Sequence, residues 1–181
     1  MKVRDIVLLI IQCYGGRLPG RTLLQKVAYF VCEKLKVDPG FRAHYYGPYS
    51  ADVDRALGEL KSLGFVTEDA LAWGISERFG ELKRFDYKLS PDGETLLAEL
   101  HRRDSVGCKR IEALVDEIRK IVGTDYRELS LAAKTYFIVK RQNRPVTLSE
   151  VKTEARKLDW NLSPESLNKA AKLLQQLNLV S

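Results

Sequence analysis

Two histidines, three cysteines and thirty Lys/Arg residues define the chemistry this chain can offer. His44 and His101 are the histidines. Neither has a Ser or Cys placed locally for activation, so no nucleophile–base pair is suggested. His101 lies beside Arg102 and Arg103 in a charged helical stretch and reads as a solvated face. Cys13, Cys32 and Cys108 are widely spaced, with no C-x-x-C and no Cys/His cluster, so no metal site is expected. They read as small core residues in a reducing compartment. Gly15-Gly16-Arg17-Leu18-Pro19-Gly20-Arg21 is rich in Gly and leads into a helix. It lacks the G-K-[ST] ending of a phosphate loop and follows a helix, not a strand. No catalytic residue and no cofactor is assigned, and a non-enzymatic role is expected.

The cations carry more information. The chain of 181 residues has a net charge of +6, divided as +4 over residues 1–63, −2 over 64–122 and +4 over 123–181. Positive charge at both ends suits a phosphate-seeking surface. Arg17 and Arg21 flank the start of a helix, where free amides favour phosphate. Arg78, Lys83 and Arg84 fall in a loop suited to backbone or minor-groove contacts. The would-be reading helix near residues 51–63 carries Asp52, Asp54 and Glu59 against Arg55 and Lys61, so its approach to phosphate is opposed. The last helix offers Asn168, Lys169, Lys172 and Gln175 against Glu165, a set that can read adenine and meet phosphates. His44, Tyr45, Tyr46 and Tyr49 form the alternative site, an aromatic patch for a protein partner or unstacked bases.

These residues must be positioned by helices. Residues 2–14 read as a helix apolar nearly all round, hence central and buried, ended by Gly15-Gly16. Its longest apolar run, Ile6 to Ile11, is far too short to cross a bilayer, and the leading charges do not fit a signal peptide. The spacing Thr22-Leu23-Leu24-Gln25 predicts a capping box for a second helix, closed by Pro39-Gly40. Phe41 to Tyr46 reads as a short strand. Ser50 caps a third helix whose core stripe is Val53, Ala56, Leu57, Leu60 and Leu63. Phe65-Val66 and Phe85–Leu89 read as strands joined by a loop over 70–84, a wing hairpin. Ser90-Pro91 opens a helical stretch to residue 122, either one kinked helix or two meeting near Ser105–Gly107. Its seam of Leu97, Leu100, Ile111, Leu114, Ile118 and Ile121 packs on the chain's own core or, less simply, on a second copy through residues 97–122.

The same local pattern then recurs. Leu57–Val66 and Ala171–Val180 each read as an amphipathic helix stopped by Gly64 or Asn178 and followed by an extended apolar pair. The second unit has helices opened by capping boxes at Asp125–Glu128 and Thr147–Glu150 and by Ser163-Pro164. The expected fold is mainly α with a small β wing: two winged-helix or helix-turn-helix-like units, residues 1–90 and 124–181, joined by residues 91–123.

Three stretches carry a family resemblance: Gly20–Phe30 (GRTLLQKVAYF), His44–Ser50 (HYYGPYS) and Leu57–Val66. Over about residues 5–70 the chain resembles uncharacterised prokaryotic, often archaeal, proteins of the YwgA type. It is similar, more distantly, to the Panacea (SocA-like) domain family. The Panacea resemblance implies toxin neutralisation or adaptation of a partner for proteolysis, and implies no catalytic residues. Read physically, Leu24 faces the core, Gln25 caps, and Tyr46-Gly47-Pro48-Tyr49 is a rigid turn that aims the third helix. Two functions follow as expectations for a cytoplasmic protein. One is duplex DNA binding of the transcription-regulator kind. The other is a protein-interaction module of the antitoxin or adaptor kind.

Overall fold

The computed structural model describes residues 1–76 and 80–180, without the side chains of 73–76 and 80–83. Among the described residues the chain is mainly α, with one small antiparallel sheet. The order is α1 (Val3–Cys13), β1 (Arg17–Pro19), α2 (Arg21–Leu35), α3 (Ala51–Ser62), β2 (Val66–Ser76) and β3 (Gly80–Leu89). Then follow α4 (Pro91–Arg103), α5 (Ser105–Val122), α6 (Tyr126–Gln142), α7 (Leu148–Lys157) and α8 (Pro164–Gln176).

Helix α1 is the hub, as its all-round apolarity requires. Every side chain from Ile6 to Ile11 is 1% exposed or less. α2, α3, α4 and α5 pack around it. Burying a side chain of that size stabilises by about 1.5–3 kcal/mol, so this one run anchors the first half of the chain. The seam of α4 and α5 packs into the same core: Leu97, Leu100, Ile111 and Ile118 are buried and Leu114 and Ile121 lean on it. Those side chains therefore serve the chain itself. α4 and α5 are two helices, not one, because Asp104 leaves helical geometry and its carboxylate accepts from the Gly107 amide to start α5. A Cβ on Gly107 would run into that carboxylate.

The three strands lie in the order β1-β3-β2. β1 pairs antiparallel to β3, with Leu18 opposite Tyr87, and β2 pairs to β3 from Val66↔Leu89 to Ser76↔Gly80 with a shift after Ala72. This corrects two readings. The 70–84 segment is mostly strand, because a ladder holds both arms. The Gly15–Arg21 segment contains a strand, because β3 supplies the partner that three residues could not find alone.

Other local expectations fail for tertiary reasons. α2 has Gly20 as N-cap and no side-chain cap, since the Gln25 side chain is taken by Ser50 instead of returning to Thr22. α2 ends at Lys36, in the left-handed region at φ 58°, before Pro39-Gly40. Phe41–Tyr46 forms no strand, only the bridge Arg42↔Tyr49. Leu63 is 58% exposed and leaves the α3 stripe, because the helix has already ended at Ser62. Asp125 caps α6 through the Arg127 and Glu128 amides, without the reciprocal bond from Glu128. The Thr147–Glu150 box and the Ser163 cap form as read.

The two copies of the helix stop share one hydrogen-bond pattern. The Phe65 amide donates to Leu60 O and the Leu179 amide to Leu174 O, around left-handed Gly64 and Asn178. The ends of α1, α2 and α7 use the same closure: the Gly16, Val37 and Trp160 amides donate to Ile11, Cys32 and Ala155. It is therefore a general helix terminator here. Val66 continues into β2, whereas Leu179-Val180 forms no strand, because no ladder partner stands beside it.

α6, α7 and α8 pack on one another, with Leu129, Ala133, Val151, Trp160, Leu167 and Leu174 buried between them. α6 also packs against α2, joining these three helices to the same core. Lys140 of α6 pairs with Glu33 of α2 at 2.7 Å, and the Trp160 indole donates to His44 O at 2.8 Å.

Candidate nucleic-acid interface

The sequence's candidate residues fall on three surfaces. The first is built by β1, β3 and the start of α2. Asp86, 3% exposed on β3, lies between two guanidinium groups. Arg17 Nε donates to its Oδ2 at 3.2 Å, and Arg84 Nε donates to its Oδ1 at 2.7 Å. Arg17 also lies 3.6 Å from Asp69. Arg21, the first residue of α2, points its Nε at both Tyr87 Oη and Asp54 Oδ1, each at 3.5 Å. Burial, its largest influence, raises the Tyr87 hydroxyl above the ordinary tyrosine range, so it stays protonated. Arg55 stands on α3 and donates to Asp52 at 2.9 Å. Arg17, Arg21 and Arg84 are thus brought together, and each faces a carboxylate of the chain. Of the acidic residues that oppose phosphate on α3, Asp54 is met by Arg21 and Asp52 by Arg55. Arg78 lies outside the described residues. The Lys83 backbone pairs with Ala72, and its side chain lies outside the description.

The second surface is α8. Leu167, Ala170, Leu173 and Leu174 are buried, so the helix turns Asn168, Lys169, Lys172 and Gln175 to solvent. Lys169 Nζ pairs with Glu165 at 2.9 Å, which raises its amine. Lys172 has no ion pair among the described residues. Asn168, Lys172 and Gln175 are spaced i, i+4, i+7, the stripe that a groove-lying helix presents.

The third surface is the turn after α2. Tyr45 and Tyr46 are 73% and 54% exposed and meet edge-on, with ring centroids 4.9 Å apart. His44 and Tyr49 lie 5.2 Å apart, with Tyr49 half-buried. The four residues read as an aromatic patch are therefore neighbours. What holds them was not legible. Gln25 brackets Ser50, its amide donating to Ser50 O at 3.0 Å and its carbonyl accepting from Ser50 N at 2.9 Å. Lys26, 2% exposed, donates through Nζ to Pro48 O at 2.7 Å. Burial, with Lys134 adding repulsion, pushes that amine down to about 7. Gly47 sits at φ 100°, and a Cβ there would come within 3.2 Å of Lys26 and Lys134. The Gln-Lys pair of α2 and the Gly-Pro turn thus form one lock, tied to α8's unit through Trp160.

Between the first and third surfaces opens a cleft of about 430 Å³. Arg21, Arg84, Tyr46, Phe85 and Tyr87 line it, with Tyr126 from the start of α6. Phe85, Tyr87 and Tyr126 were not singled out in the sequence, since their neighbourhood arises only from the β1–β3 pairing and the docking of α6.

The remaining chemistry is quiet. Burial pushes the Cys13 and Cys32 thiols up to about 12 and raises Cys108 as well, which suppresses thiolate chemistry. His101 is half-buried, not fully solvated, with Nε2 3.0 Å from Glu112 across the α4–α5 joint. Among the described residues no group of His, Cys, Asp and Glu could hold a metal ion, and no helix is long and apolar enough to cross a membrane.

No family model matches the chain. Over 97 residues it is 31% identical to the uncharacterised protein YwgA of Bacillus subtilis (strain 168), covering 51% of this chain and 54% of the other. Over 91 residues it is 28% identical to a protein named guanylate kinase of Porphyromonas gingivalis, covering 50% and 48%. The chain spans about half the length of the curated relatives it matches. The resemblance to YwgA-type proteins expected from the sequence is thereby supported over half of the chain.

Proposed function

We propose that this chain is a non-enzymatic DNA-binding protein built from two helix-turn-helix units, the first of them winged, and that α8 is the helix that enters the duplex. The order α1-β1-α2-α3-β2-β3, with β2–β3 as a hairpin beside a three-helix core, supports a winged-helix reading of the first unit. α6, α7 and α8 with their short turns support a helix-turn-helix reading of the second. The observation that carries the function is the outward stripe Asn168, Lys172, Gln175 on α8, whose central ammonium has no ion pair among the described residues. Amides can read adenine edges and the lysine can meet phosphate. α3 is the weaker reader, because Arg55 and Arg21 are engaged with Asp52 and Asp54. The test is retention of the protein on mixed duplex DNA at low salt. Wild type is retained and Lys172→Glu is released early; no retention of wild type removes the reading.

A second reading rests on the exposed Tyr45–Tyr46 pair. A protein partner of the antitoxin or adaptor type, in keeping with the Panacea resemblance, would dock there. Tyr45→Ala with Tyr46→Ala then abolishes complex formation while Lys172→Glu leaves it intact. The likeness to a protein named guanylate kinase lends no support to phosphate transfer here, since the Gly15–Arg21 segment has no G-K-[ST] ending.

A further inference from the structure

We infer that the cavity between α6, α7, α8 and the segment after α8 binds a small uncharged molecule, apolar over most of its surface and carrying one hydrogen-bonding group that meets the Thr135 hydroxyl. The inference goes beyond the DNA reading and stands on the inner side of α8, away from the stripe of Asn168, Lys172 and Gln175. The cavity holds about 430 Å³, within the roughly 300–1,000 Å³ of small-ligand sites. Val139 of α6, Val151 of α7, Leu174 of α8 and the following Leu179 and Val180 line it. Leu148, the first residue of α7, lines it too and is 41% exposed. Val139, Leu179 and Val180 are only partly buried, so the chain leaves this apolar surface open instead of filling it. No charged side chain lines the cavity. A carboxylate, phosphate or ammonium placed there would lose its hydration without gaining a counter-charge, so the guest is neutral.

Thr135 is the exception in that wall. It is 3% exposed, and its Oγ1 has no hydrogen-bond partner. Thr95 and Thr153 turn back on their own helices, donating to Pro91 O and Ser149 O, each at 3.1 Å. Thr135 makes no such bond to Leu131 O. A buried hydroxyl left without a partner costs stability, and a valine in its place would escape that cost. A guest with one donor or acceptor supplies the missing partner. A helical threonine has two χ1 rotamers with which to meet it. The depth of the hydroxyl also decides the kind of guest. A flat protein surface would spread over Leu148 and Val180 without reaching a side chain this buried, whereas a molecule that enters the cavity reaches it.

Thymol and p-cymene test the site, since they share one apolar skeleton and differ by a single hydroxyl. Each is titrated against the full chain loaded with 1-aminoanthracene, whose fluorescence rises in apolar surroundings, and its displacement is followed. Thymol binds wild type about fivefold more tightly than p-cymene, the size of one net hydrogen bond. Thr135→Val removes that preference, while p-cymene binds the variant as it binds wild type. Without ligand, Thr135→Val unfolds at a temperature no lower than wild type, because no bond is lost. Ala171→Phe fills the cavity from α8 and abolishes binding of both compounds. The thymol preference in Thr135→Val decides the matter even where Ala171→Phe does not fold. Absence of binding of both compounds to wild type overturns the inference, as does a thymol preference that survives Thr135→Val or binding indifferent to Ala171→Phe. Self-association in place of binding, lost in Leu148→Glu, assigns the face to a second copy and overturns it too. Such failure leaves the DNA reading standing, because duplex retention and its loss in Lys172→Glu are read on the outer face of α8.

Discussion

Replacing Lys26 by Met is expected to stabilise the protein at acidic pH and weaken it slightly at alkaline pH. The amine is 2% exposed, and its one polar partner among the described residues is Pro48 O. Burial first, and Lys134 second, bring its pKa from 10.5 to about 7. A displacement of that size corresponds to about 5 kcal/mol against the charged form, at 1.36 kcal/mol per pH unit. The sign follows from proton counting. Between about pH 7 and 10.5 the unfolded chain holds a proton on this lysine that the folded chain has released. Unfolding therefore takes up a proton, and stability rises with pH across that window. Below pH 7 both states are charged and the full penalty applies. Met removes the penalty but leaves Pro48 O without its donor, a loss of about 1–3 kcal/mol. The variant should exceed wild type by roughly 2–4 kcal/mol near pH 6 and fall about 1 kcal/mol below it near pH 10. Urea unfolding followed by far-ultraviolet circular dichroism at a series of pH values measures both proteins. Because only the difference is used, other titrating groups cancel. A difference that stays flat from pH 6 to 10 would refute the argument that this ammonium is desolvated.

Three further outcomes test the positioning of the surfaces. Gln25→Leu strands the Ser50 amide, while Ser50 O keeps the Asp54 amide as donor, and should cost about 1–3 kcal/mol by the same unfolding assay. Trp160→Phe keeps the packing on Phe137 but removes the donor to His44 O, so about 1–2 kcal/mol is lost and amide exchange near residue 44 accelerates. Gly93→Ala puts a Cβ into the Phe65 carbonyl, which no rotamer can relieve, and is expected to lower the thermal midpoint by more than about 10 °C.

Whatever depends on short-range periodicity was legible in the sequence, and whatever depends on a distant partner was not. Ile6–Ile11 announces a central helix because no other environment suits an apolar run on all faces. Ser50, Thr147 and Ser163 announce helix starts because a cap is a contact within three residues. Thr22–Gln25 has the same spacing and fails, because Gln25 finds Ser50 twenty-five residues on. β1 is invisible for a like reason: Arg17-Leu18-Pro19 becomes a strand only against Tyr87. The β2–β3 hairpin did leave a trace, the two-residue period of Leu71, Trp73 and Ile75, which the glycines and charges around it obscured. For the site, residue type pointed to Arg17, Arg21 and Arg84 but gave no sign that carboxylates meet all three. On α8 the helical period alone was enough to put Asn168, Lys172 and Gln175 on one face.

The dependence of duplex affinity on salt, measured for wild type and Lys172→Ala, tests the central claim most directly. If α8 lies in the groove with Lys172 on a phosphate, log Kd rises with log salt by several units for wild type, and the alanine variant lowers that slope by about one. Equal slopes for the two proteins, or no duplex affinity even at low salt, would contradict it.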